Sequence, residues 1–171
     1  MALSALLVLL VAASCRESSP APSSTASPPS APAAKTNNAD RVDSVYLSQV
    51  KGTVLVNSSG YPLYVFAPDK QRSVTCTAAC AAAWPPLKVV PGAAPTAGPG
   101  VDQKLLGLDE DPAGGQVVTY NGWPLYTYAT DLKLGTRSAV ATGQGLDLNG
   151  GYWYVMLASG SPVVRPVPPK T

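Results

Sequence analysis

A chain of 171 residues with 18 prolines, 13% charged residues and a formal net charge of +2 has room for one domain with appended segments and generates no strong single-sign field. No cluster of lysine and arginine follows a phosphate backbone, so nucleic acid is not an expected partner. The chain contains no histidine, which removes the usual general base and the commonest metal ligand, and with them Ser-His-Asp and Cys-His catalysis, His-ligated zinc or copper, and haem held by an axial histidine.

The apolar run from Leu3 to Ala13 suits a signal-peptide core and falls short of the roughly 20 residues of a membrane-spanning helix. It leads through Val11-Ala12-Ala13-Ser14 into Cys15, an arrangement that resembles a bacterial lipobox, in which the cysteine is lipidated. Ala12 stands where leucine is usual, and no Lys or Arg precedes the apolar run. From Arg16 to about Asp43 the chain is Ser, Pro, Ala and Thr with almost no large apolar residue, too little to offset the entropy of ordering. The expected organisation is a lipoprotein signal peptide over 1–14 and a disordered tether over 15–44. A folded domain follows over 45–160, with repeats at about 45–90 and 104–160, and then a proline-rich tail over 161–171.

The chain repeats itself at an offset of 62: Gly60-Tyr61-Pro62-Leu63-Tyr64-Val65-Phe66-Ala67-Pro68-Asp69 aligns with Gly122-Trp123-Pro124-Leu125-Tyr126-Thr127-Tyr128-Ala129-Thr130-Asp131. Six of the ten positions are identical and two exchange one aromatic for another. In each copy an apolar or β-branched run, Thr53 to Val56 or Gln116 to Tyr120, enters a glycine-containing turn and then an aromatic strand. Asn121-Gly122 predicts a type I′ hairpin turn, and Asn57-Ser58-Ser59-Gly60 a longer version of it. Within the second strands Leu63, Val65 and Ala67 alternate with Tyr64 and Phe66, and Leu125 and Thr127 with Tyr126 and Tyr128, so both faces carry bulk and the strands are expected to be central. A third hairpin is predicted from Lys104–Leu108 and Gln116 onward, and a last strand over Tyr152–Leu157. Apart from the alanine-rich turn at Thr77–Ala83, no long segment carries helical periodicity. The predicted class is all-β, a small antiparallel domain of two tandem pseudo-symmetric repeats.

The stretches Tyr64-Val65-Phe66-Ala67-Pro68-Asp69 and Tyr126-Thr127-Tyr128-Ala129-Thr130-Asp131 resemble the Y-x-[FWY]-x-x-D signature of the secreted-repeat lipoproteins. Cys76-Thr77-Ala78-Ala79-Cys80 before Trp84-Pro85-Pro86-Leu87, and Gly143-Gln144-Gly145 before Trp153, extend the likeness over about 45–160. The resemblance implies a bacterial envelope lipoprotein with a tandem repeat and implies no activity.

Cys76 and Cys80 in an exported chain favour a small disulfide-closed loop; a thiol redox pair or metal ligation are the alternatives, and neither C-x-x-C spacing nor a thioredoxin-like context supports the first. Asp69 and Asp131 are raw material for glycoside hydrolysis. The simpler reading lets each end its strand by accepting backbone N–H bonds in an Asx-type turn, with Tyr64 and Asp69 packing the first hairpin as Tyr126 and Asp131 pack the second. The aromatics Tyr64, Phe66, Tyr126, Tyr128, Trp84 and Trp153 are expected to form core, with a glycan or peptide surface as the alternative. Asp109-Glu110-Asp111 reads as a solvated turn lacking the ligand spacing of a calcium loop. The resulting expectation is an envelope lipoprotein held to the membrane on its extracytoplasmic side through Cys15. Its domain is expected to be a non-catalytic binding module for an envelope protein or glycan, without metal or cofactor. An envelope redox accessory, or a hydrolase using Asp69 and Asp131, are the alternatives.

Overall fold

The computed structural model describes residues 40–69, 73–135, 137 and 140–164. Cys15, the signal peptide and the tether up to residue 39 lie outside the described residues, as do residues 165–171 of the tail. Repeat 1 begins with β1 (Arg41–Leu47) and β2 (Gly52–Asn57), an antiparallel hairpin with Val42 opposite Asn57 and Leu47 opposite Gly52. Asp40 and Val42 are buried, so residues 40–44 belong to the domain and not to the tether to which they were expected to belong. β3 (Tyr64–Phe66), a single 3-10 turn at Ala67–Asp69, α1 (Ala79–Ala83) and β4 (Thr96–Ala97) complete the repeat.

Repeat 2 opens in the same way, with β5 (Leu106–Glu110), β6 (Gln116–Tyr120), β7 (Trp123–Pro124) and α2 (Ala129–Leu134), and ends differently, in the hairpin of β8 (Asp147–Leu148) and β9 (Gly151–Val155). Asn121 at φ 49° and Gly122 at φ 78° make the two-residue turn between β6 and β7, where both central residues must adopt positive φ. Asn57 builds the longer counterpart by accepting from the amides of Ser59 and Tyr61 through its side chain. The helix α2 was not expected: it has only six residues, too few for periodicity to show, and Gly135 in the left-handed region closes it. The tail is shorter than expected as well. Residues 161–164 fold back on β9, with Met156 bridged to Pro162 and the Val163 amide donating to the Val155 carbonyl.

The strands form three small sheets, ordered β2-β1-β4, β3-β9-β8 and β5-β6-β7. What joins them is an exchange between the repeats. Leu55 N donates to Met156 O and Met156 N to Leu63 O, so the end of repeat 2 runs between the two arms of repeat 1. The equivalent bonds, Val118 N to Leu87 O and Leu87 N to Leu125 O, place Leu87 of repeat 1 between the arms of repeat 2. Tyr64 and Tyr126, equivalent positions of the two copies, exchange both backbone hydrogen bonds at 2.8 and 2.9 Å, so a local two-fold passes between them.

The strand alternation read from sequence holds across this arrangement. Tyr64, Phe66 and Tyr126 lie in one buried cluster with Trp84 and Trp153, while Leu63, Val65 and Leu125 lie in a second with Val42, Val118 and Met156. Both clusters draw on both repeats, so neither half has a private core. A sheet this small is marginal alone, and exchange lets each repeat cover the other's apolar faces.

Candidate functional site

The duplicated motif converges on the local two-fold. Trp84 and Trp153, one from each repeat, stack with centroids 3.9 Å apart and planes within 2°. Tyr128 stacks on the outer face of Trp84 at 4.0 Å, and Phe66 on Trp153 at 4.4 Å. The result is a four-ring column in which each indole carries the aromatic of the opposite repeat. Tyr64 meets Trp84 edge-on at 5.4 Å, and Tyr126 meets Trp153 at 5.3 Å, the T-shaped geometry that aromatic quadrupoles favour. Both tryptophans, Tyr64 and Tyr126 are fully buried.

The Tyr and Asp residues pair across the repeats. The Tyr64 hydroxyl donates to Asp131 Oδ2 at 2.5 Å, and the Tyr126 hydroxyl to Asp69 Oδ2 at 2.5 Å. The expectation that Tyr64 and Asp69 pack the first hairpin, and Tyr126 and Asp131 the second, is therefore corrected: exchange brings each tyrosine to the other copy's carboxylate. The other oxygen of each Asp is filled by a threonine further along the same repeat. Thr75 donates to Asp69 Oδ1 through its amide at 2.8 Å and its hydroxyl at 2.5 Å. Thr142 donates to Asp131 Oδ1 through its amide at 3.2 Å and through its hydroxyl. Each Asp does accept a backbone N–H, as expected, but from a distant threonine, and Asp131 sits within α2 instead of at a strand-end turn.

Burial governs the electrostatics. It pushes the Asp69 carboxyl above the usual carboxylate range, against the bonds from Thr75 and Tyr126 that favour the charged form. Burial also raises both phenols far above the ordinary tyrosine range, and for each the carboxylate it donates to adds to the rise. These hydroxyls are donors fixed in the neutral state.

Sequence reasoning missed the threonines because the spacing differs between copies: Thr75 lies six residues after Asp69, Thr142 eleven after Asp131, so the offset of 62 does not align them. Gly143, noted only as part of a motif, follows Thr142 as Cys76 follows Thr75. A Cβ there would lie 2.6 Å from Trp84 Cη2 and 3.0 Å from Tyr64 Cε1, and its amide donates to the Tyr64 hydroxyl at 3.2 Å. Cys76 and Cys80 form a disulfide with Cα atoms 5.2 Å apart. The acidic run is not a solvated turn throughout: Asp111 is buried, accepts from Ala113 N and pairs with Lys88 at 2.7 Å. Desolvation pushes the Asp111 carboxyl up, but the Lys88 and Ala113 bonds outweigh it and hold it below the usual range. Among the described residues no group of three or more acidic or cysteine side chains is placed to hold a metal ion.

A family model described as a secreted repeat of unknown function, Lipoprotein_15, matches residues 47–88 and 107–156. The chain belongs to this family. The two matched stretches of the secreted repeat coincide with the two copies that exchange strands, and Tyr64 with Asp69 and Tyr126 with Asp131 fall one pair in each. No curated protein and no solved structure matches the secreted repeat. No helix among its described residues is long and apolar enough to cross a membrane.

Proposed function

We propose that this secreted repeat is a membrane-anchored lipoprotein of the bacterial envelope, tethered through Cys15, whose exchanged two-repeat domain is a non-catalytic interaction module. The observation that carries the reading is the fate of the motif's reactive groups. Asp69 and Asp131 are each 1% exposed, and both oxygens of each are occupied by Tyr and Thr donors. A hydrolase needs two carboxyl groups flanking a cleft about 5–10 Å apart with room for substrate, and these two are buried beneath the donors that occupy them. A redox accessory needs an exposed aromatic cluster or a reducible disulfide; both indoles are buried, which leaves that alternative to the Cys76–Cys80 bridge alone. The motif therefore acts as the lock of a rigid domain, leaving its surface for contacts.

Cys15→Ala is expected to move the protein from the membrane fraction to the soluble fraction of its native cells, and unchanged partitioning would sink the anchor. Asp69→Asn and Asp131→Asn are each expected to lower unfolding stability by about 1–3 kcal/mol. Active-site carboxylates are often neutralised at no cost or with a gain, so variants as stable as the parent would reopen the catalytic reading.

A further inference from the structure

The two-fold is broken at one place. β1 and β5 are counterparts, since each pairs with the strand that enters its repeat's glycine turn. The outer edge of β1 is covered by β4, with Arg41 opposite Thr96 and Val42 opposite Ala97, and Gly98 N donates to Val42 O. After repeat 2 the chain does not repeat this course. It turns back at Gly160, beside Leu105 and Asn121, and returns along β9, so among the described residues the outer edge of β5 pairs with no strand. A separate open groove of about 540 Å³ lies over the β5–β6 ladder and its turn, lined by residues 104–109 with Thr119, Asn121 and Gly122.

The edge is competent to pair. Asn121 N donates to Leu105 O, and by antiparallel alternation Gly107 and Asp109 direct their main chain at β6 while Leu106 and Leu108 direct theirs outward. The Leu106 amide closes the 3-10 turn on Gln103 O, which leaves the Leu108 amide and the Leu106 carbonyl at the edge. Lys104 and Glu110, exposed at the two ends, have no ion-pair partner among the described residues.

We infer that β5 pairs antiparallel with β5 of a second copy of this chain, about a two-fold at Gly107. In that register Leu106 lies opposite Leu108 of the other copy and the Leu108 amide of each reaches the Leu106 carbonyl of its mate, while Lys104, in the 3-10 turn that leads into β5, comes to the end of the partner strand where Glu110 is exposed. The strand is thus self-complementary in hydrogen bonds, apolar side chains and charge, as an isologous contact requires. Gly107 sits at the axis, where antiparallel alternation makes it a non-hydrogen-bonded pair with its own counterpart. One short strand pair makes a weak dimer in solution, and tethering to one membrane raises its occupancy through effective concentration. This deepens the interaction-module reading by naming the partner.

The test uses the full chain in solution at submillimolar concentration, where no lipid is required. Sedimentation should show a concentration-dependent dimer, and zero-length carbodiimide cross-linking should give a dimer joined between Lys104 and Glu110. Glu110→Lys is expected to weaken association about tenfold, and Lys104→Glu combined with Glu110→Lys to restore it. A monomer at every concentration, a cross-link elsewhere, or indifference to the charge reversal overturns the inference. If the same chain still fractionates with the membrane and cross-links there to other proteins, the module reading stands and this partner alone is lost.

Discussion

The two repeats hold the same lock in two different ways. In repeat 1 the ten residues from Thr75 to Trp84 are closed by the Cys76–Cys80 disulfide and the short alanine helix α1. In repeat 2 the stretch from Thr142 to Trp153 has no cysteine; buried Gln144 accepts from Val155 N and donates to Val163 O, each at 2.7 Å, and the β8–β9 turn delivers the indole, whose Nε1 donates to Leu148 O. Repeat 1 leaves the Trp84 Nε1 buried with no hydrogen-bond partner among the described residues. What both connections preserve is a threonine on the Asp and an indole on the two-fold. A covalent staple and a hydrogen-bonded glutamine are interchangeable ways of reaching that geometry.

If the halves are equivalent at the centre, truncating either ring should cost the same. Tyr64→Ala and Tyr126→Ala are each expected to lose about 3–5 kcal/mol of unfolding free energy in urea titrations, since each removes a fully buried aromatic and the hydroxyl that donates to one oxygen of a buried carboxylate. A difference of more than about 2 kcal/mol between them would show that one half carries the fold.

High pH probes the same pair. Both phenols are raised above their ordinary value in the folded chain, so the stability they contribute is full below the unfolded tyrosine pKa of about 10 and is lost as pH rises past it. Two protons released on unfolding steepen the decline by roughly 2.7 kcal/mol per pH unit. Tyr64 and Tyr126 should yield phenolate absorbance only together with loss of tertiary structure. Tyr64→Phe with Tyr126→Phe should remove their share of that step, and early, non-cooperative appearance of the absorbance that the double variant lacks would contradict the buried pairing.

Where the repeats differ, the costs should be comparable and separable. Replacing Cys76 and Cys80 by serine should cost about 2 kcal/mol on the chain-entropy estimate for so short a loop. Gln144→Ala should cost about 1–3 kcal/mol by leaving Val155 N unpaired. Gly143→Ala should fall in the same range by overpacking against Trp84. Sensitivity to reductant should appear only for repeat 1, read as a midpoint shift that the Cys-to-Ser chain lacks.

Much of this was legible in the sequence, for stated reasons. Alternation in Leu63–Phe66 assigned side chains to two faces, and both faces proved to be core; Asn121-Gly122 fixed a hairpin because few other residues tolerate that turn; an exported pair of cysteines pointed to a bridge. What was not legible is long-range. Nothing local in Tyr64 or Asp131 says that the partner lies 67 residues away, because a tandem repeat folded side by side and one folded by exchange have the same sequence periodicity. The start of β1 was misplaced for the opposite reason. Arg41-Val42-Asp43 has the polarity of a linker and becomes a strand because β2 and β4 cover it on both edges.

Exchange is also the feature most directly open to measurement. In a double-mutant cycle, Tyr64→Phe with Asp131→Asn, and Tyr126→Phe with Asp69→Asn, should each show a coupling on the order of 1 kcal/mol, because each pair shares one hydrogen bond. The within-repeat pairs, Tyr64→Phe with Asp69→Asn and Tyr126→Phe with Asp131→Asn, share none and should add to within about 0.5 kcal/mol. Phe retains the ring and its contacts with the tryptophans, and Asn retains the shape at the threonine, so the cycle reports the bond and little else. The small size of the effect matters less than its assignment. A side-by-side duplication predicts coupling along the chain within each copy, an exchanged one only across copies, and coupling confined to the within-repeat pairs would mean that the two halves fold as independent hairpins.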